Sequence, residues 1–88
     1  MDLQETLEKE TRAWLMKLEK EMEHAQKHSI REKGIRNEMK NVHAYIADCK
    51  HFLEQRDMVR AFEAVMYAWG MFDTLARTGF VKSTRFKD

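Results

Sequence analysis

The run Met58–Thr78, MVRAFEAVMYAWGMFDTLART, decides the fold. Placed on a helix at about 100° per residue, Met58, Phe62, Val65, Trp69, Phe72 and Ala76 fall in one seam. Ala61, Ala64, Ala68, Met71 and Leu75 form a second apolar row beside it. Together the rows cover about 180°, against the ~100° stripe of an ordinary surface helix. Such a helix either occupies the middle of a bundle or has an additional partner. Its ends are marked. Asp57 suits an N-cap, because its carboxylate can accept from first-turn amides at the positive end of the helix dipole. Gly79 suits the left-handed residue that closes a helix, with Phe80 placed to pack back on Leu75.

Toward the N-terminus, Gln55-Arg56-Asp57 is a break. Before it Ile35, Met39, Val42, Ile46, Cys49 and Leu53 recur in alternating steps of four and three, the spacing of a bundle seam. Tyr45 and Phe52 widen that seam on one side. A second break spans His28 to Gly34, where Ser29 and Glu32 have the form of a capping box. The first segment carries Leu3, Leu7, Trp14, Leu18, Met22 and Ala25 on one stripe, with Glu5, Lys9, Arg12, Glu19, Glu23 and Lys27 opposite. The spacing predicts helices over residues 3–27, 35–55 and 58–78. Short connections favour an all-α, antiparallel up-down-up three-helix bundle, a single domain over residues 1–79. Residues 80–88 read as a C-terminal tail docked in part through Phe80 and Val81 and otherwise frayed.

The composition narrows the function. Of 88 residues 35% are charged, yet 16 Lys plus Arg nearly cancel 15 Asp plus Glu, which argues against a dedicated nucleic-acid binder. No apolar run approaches the ~20 residues of a membrane span, so no membrane partner is expected. Asp2, Glu5 and Glu8 stand where a signal peptide would be cationic and then apolar. The single Cys49 fits a reducing compartment, and a cytoplasmic location is the expectation.

Each chemical motif has a plain structural reading beside it. His24 and His28 have metal-ligand spacing, but no Glu follows His24 and no paired Glu-x-x-His motifs exist, so solvent-exposed histidines are expected and no metal. No cofactor is expected either, since the chain carries no glycine-rich phosphate loop. Arg36-Asn37 with His43 seven residues after the arginine resembles the catalytic motif of HEPN-type ribonucleases. Two helical turns would put guanidinium and imidazole on one face, an acid–base and phosphate-stabilising pair. That family, however, carries the motif near the start of its last long helix. Lys27, Arg31, Lys33, Arg36 and Lys40 make a basic first corner, which leaves RNA binding without catalysis open as well. Cys49 reads as a small core residue, and Met22, Met39 and Met58 as core filler. The excess apolar width of the third helix, with Ala64, Ala68 and Met71 suited to close approach, points to a homodimer through that helix.

Tyr45–Asp73 resembles the archaeal "domain of unknown function 357" family. The matching positions are Asp48, Phe52-Leu53, Asp57, Arg60 to Glu63, Tyr67-Ala68, Gly70 and Asp73, with Trp14-Leu15 and Leu18 similar near the N-terminus. Two departures stand out: a glycine is usual at Arg56, which makes this turn less tolerant of a left-handed residue, and an aromatic is usual at Met58. The resemblance implies a small three-helix bundle from an archaeal cytoplasm and supplies no activity. Arg60, Glu63, Tyr67, Met71 and Asp73 are the candidate interaction surface, either for salt links to neighbouring helices or for a protein partner. The helix-turn-helix also resembles a tetratricopeptide unit, but one hairpin is not an array. A non-enzymatic protein–protein interaction module with an unidentified partner is the leading expectation. A HEPN-like ribonuclease or an RNA-binding helical domain is the alternative.

Overall fold

A computed structural model describes residues 2–28 and 33–85, excepting the side chains of 26–34. Three helices account for most of them: α1 (Leu3–His28), α2 (Lys33–Glu54) and α3 (Met58–Arg77). The proposed capping box at Ser29 and Glu32 lies outside the described residues. Asp2 caps α1 instead of leaving its first amides bare, its carboxylate accepting from Glu5 N–H at 2.8 Å.

Both ends of α3 follow from local chemistry. Asp57 Oδ1 accepts from Arg60 N–H at 3.2 Å. At the far end Gly79 adopts φ 83°, Gly79 N–H donates to Ala76 O, and Phe80 N–H donates to Leu75 O. That is a Schellman ending, as the glycine suggested. Val81, not Phe80, buries against the core: Phe80 is 48% exposed and Val81 only 4%. The α2 end has the same two bonds, Arg56 N–H to Leu53 O and Asp57 N–H to Phe52 O, with Arg56 at φ 60°. A side chain in that left-handed region costs about 1 kcal/mol relative to glycine. Arg56 reaches from this turn to Glu8 with two hydrogen bonds, 3.0 and 2.9 Å. Arg56 and then Arg12, which donates at 3.0 Å, hold the Glu8 carboxyl down at about 2.

The relative directions of the helices read off paired residues. Glu8 meets Arg56, Trp14 meets Trp69, and Glu21 meets Ser83 and Thr84, so α1 and α3 run parallel. Lys50 meets Glu19 at 2.7 Å while Met22 lies beside Ile46, so α2 runs against α1. The bundle is up-down-up. α3 is its middle member, packed along α2 on one side and α1 on the other, whereas α1 and α2 touch along a thin seam.

This arrangement uses the wide apolar face of α3 within the chain. Ala61, Ala64, Val65, Ala68, Trp69, Phe72 and Leu75 are all buried. Ala64 and Ala68, two of the three residues expected to receive a second copy, are therefore closed off by the flanking helices. Phe62, placed by spacing on the seam, is only half-buried at its edge. In α1 the buried seam is Thr11, Leu15, Leu18, Met22 and Ala25, not the stripe through Leu3, Leu7 and Trp14. Leu3 is 74% exposed, and Leu7 and Trp14 lie at the margin. Thr11 is fully buried, and its hydroxyl has no hydrogen-bond partner.

Trp69 joins the layers. Its Nε1 donates to Trp14 O at 3.0 Å, and its ring meets those of Trp14 and Phe72 edge-on at 5.7 and 6.0 Å. Trp69→Ala should cost about 3–5 kcal/mol in chemical denaturation; a midpoint that hardly moved would contradict this packing. Thr11→Val, which removes an unsatisfied buried hydroxyl, should raise stability by about 1 kcal/mol, and a loss in the same assay would show that the hydroxyl is used.

Candidate interaction face

On the wheel of α3, Arg60, Glu63, Tyr67 and Met71 share a face spanning about 80°, and all four reach the surface at least in part. Tyr67 is 57% exposed, and its ring lies 5.7 Å from that of half-buried Tyr45 on α2. Met71 and Tyr45, with Asn41, Ala44 and Asp48, line an open depression of about 380 Å³ between α2 and α3. Arg60 lies over the Phe52 ring at 5.9 Å and pairs with Asp57 at 3.6 Å. The result is a shoulder of aromatic, methionine and arginine side chains along the α2–α3 edge.

Asp73 does not belong to it. It stands on the other side of α3 and accepts from Arg85 at 3.0 Å. Arg85 in turn lies over the Trp69 ring at 4.6 Å. This tail contact was illegible from spacing, because it joins residues that share no periodicity. The tail is held more firmly than Phe80 and Val81 alone would allow. The hydroxyls of Ser83 and Thr84 and the Thr84 N–H all donate to the buried Glu21 carboxylate. Phe86, Lys87 and Asp88 lie outside the described residues.

The remaining candidates are dispersed. Arg36 and His43 both occupy the exposed side of α2. His43 lines a groove of about 310 Å³ between α1 and α2 with Glu19, Glu23 and Lys50, over Met22, Ile46 and Ala47; Arg36 does not reach it. Cys49 is fully buried, and burial pushes its thiol up to about 11, which makes it an inert core residue. The side chains of Lys27, His28, Arg31 and Lys33 lie outside the described residues, leaving Arg36 and Lys40 as the described part of the basic corner. Among the described residues no group of three His, Cys, Asp or Glu side chains is placed to hold a metal. No helix among them is long and apolar enough to cross a membrane.

Fold and surface together define a small three-helix bundle whose middle helix carries a polar-aromatic shoulder. A family model described as a protein of unknown function, DUF357, matches residues 13–81, and the chain belongs to that family. A crystal structure of a family member from Archaeoglobus fulgidus is similar at 36% identity and a TM-score of 0.76, over 94% of this chain and 100% of that one. No curated protein matches the chain. Glu8 and Ser83 to Arg85 fall outside the matched span, so the Glu8–Arg56, Glu21–Ser83/Thr84 and Asp73–Arg85 contacts each reach beyond it.

Glu21 makes the tail clamp sensitive to acid. Burial pushes its carboxyl up, but the Ser83 and Thr84 hydroxyls, the Thr84 amide and His24 pull it further down, leaving it below the ordinary 4.5. A carboxyl lowered by folding contributes stability that is complete above its unfolded value and is lost as the pH falls through the folded one. Tryptophan fluorescence, which senses Arg85 on Trp69, should report tail release with a midpoint below 4.5. Glu21→Ala should abolish that transition. A transition centred above 4.5 would contradict the assignment.

Proposed function

We propose that this chain is a non-enzymatic, cytoplasmic protein–protein interaction module that binds through the α2–α3 shoulder. The observation that carries this reading is Tyr67, 57% exposed yet held in a tilted ring contact with Tyr45, with Arg60 and Met71 on the same helix face. Tyr, Arg and Met are enriched where proteins meet, because they bring large contact areas at a small ordering cost. A tyrosine held in place on one side and exposed on the other is ready for contact. The buried Cys49 thiol fits a reducing compartment.

The test places a photo-crosslinking residue at position 67 and, as a control, at exposed Lys9 on α1. Extract of the native host should give an adduct of defined mass from position 67 alone. With the crosslinker kept at position 67, Arg60→Ala combined with Met71→Ala should reduce capture ten-fold or more with circular dichroism unchanged. Equal capture from both positions would overturn the assignment of the face. Single-stranded RNA incubated with wild type and with His43→Ala should show the same background; cleavage that depends on His43 would overturn the non-enzymatic reading.

A further inference from the structure

Gly70 lies in the interior of α3 on its exposed side, and a Cβ built there would meet nothing within 4 Å. Glycine inside an exposed helix lowers helix stability about four- to five-fold relative to alanine. Among the described residues no neighbour crowds the position, so packing within the bundle does not call for a glycine there.

The surroundings of Gly70 fit a protein surface. Val59 and Tyr67 are 65% and 57% exposed, and Met66 is half-buried between them on the outward side of α3. Glu63 and Arg77, both exposed, stand seven residues before and seven after Gly70. At 1.5 Å and about 100° per residue, each lies about 10 Å from Gly70 along the axis, displaced some 20° to opposite sides of it. Opposite charges thus occupy positions related by a two-fold axis through the glycine.

We infer that this outer strip of α3 docks onto α3 of a second copy, the two helices crossing antiparallel at Gly70. Antiparallel crossing at Gly70 sets Glu63 of each copy against Arg77 of the other, so the contact holds two ion pairs between opposite charges. Met66 then faces Thr74. A parallel crossing would set Glu63 against Glu63, a like-charge contact. The contact uses the same patch on both copies and closes at two. Gly70 at the axis lets the backbones approach closely. This surface is distinct from the buried Ala64 and Ala68 row. It deepens the binding-module reading, and rests on it, by naming a second copy of the chain as the occupant of the strip beside the shoulder.

Sedimentation equilibrium over a concentration series, with circular dichroism on each variant, tests it. Wild type should dimerise. Gly70→Leu should be monomeric with its helix content intact. Glu63→Arg and Arg77→Glu should each weaken dimerisation ten-fold or more, and the two combined should restore it to within a few-fold of wild type. The charge variants keep the test decisive if Gly70→Leu folds poorly. A wild type that stays monomeric at the highest concentration, a dimer indifferent to Gly70→Leu, or a double variant that does not recover would each overturn the proposal. A monomer whose position 67 still cross-links a host protein would overturn self-docking and leave the module reading standing. Loss of both results would overturn both.

Discussion

The hydrogen bond from the Trp69 indole to the Trp14 carbonyl, 3.0 Å long, sets the register on which the rest of this bundle depends. A buried indole needs an acceptor for its N–H, and here the acceptor is the backbone of a neighbouring helix. The edge-on contacts with Trp14 and Phe72 fix the ring in two further directions. With α1 and α3 locked at that point, Glu8 falls opposite Arg56 at one end and Glu21 opposite Ser83 and Thr84 at the other. A slip of one residue would break all three contacts together.

The same register explains why α3 is so apolar. It stands between α1 and α2, and the alanines at 61, 64 and 68 let both neighbours approach closely. The surplus read from sequence is therefore a consequence of central placement. What stays outside is a different set of residues: Val59, Tyr67 and the Gly70 position, with Met66 at the margin. One helix thus holds the domain together on one side and presents an exposed strip on the other.

Much of this was legible in the residues. The three helices, the Asp57 cap and the Gly79 ending follow from periodicity and turn chemistry, and each element begins and ends within about two residues of where these place it. The expected α1 stripe lies about 30° to one side of the true seam, because it takes in Leu3, Leu7 and Trp14, leaves Leu15 just outside and passes over the polar Thr11. The actual seam, Thr11, Leu15, Leu18, Met22 and Ala25, keeps steps of four and three through a polar residue. Of the five candidate surface residues, four share a face, while Asp73 turns away because its angle on the helix faces the tail. The tail itself could not be read, since Glu21 binds Ser83 and Thr84 only once α1 and α3 lie parallel. Arg56 illustrates the same limit: a left-handed arginine looks unfavourable until Glu8 is found within reach of it.

As proposed, α3 divides into an inward face committed to the fold and an outward face that docks a second copy. Methyl resonances followed through a dilution series test this most directly, because in the neighbouring pairs Val65–Met66 and Met58–Val59 the first residue is buried and the second reaches the surface. The methyl signals of Met66 and Val59 should shift with concentration while those of Val65 and Met58 stay fixed. Shifts shared equally by both members of each pair, or by neither, would contradict the division.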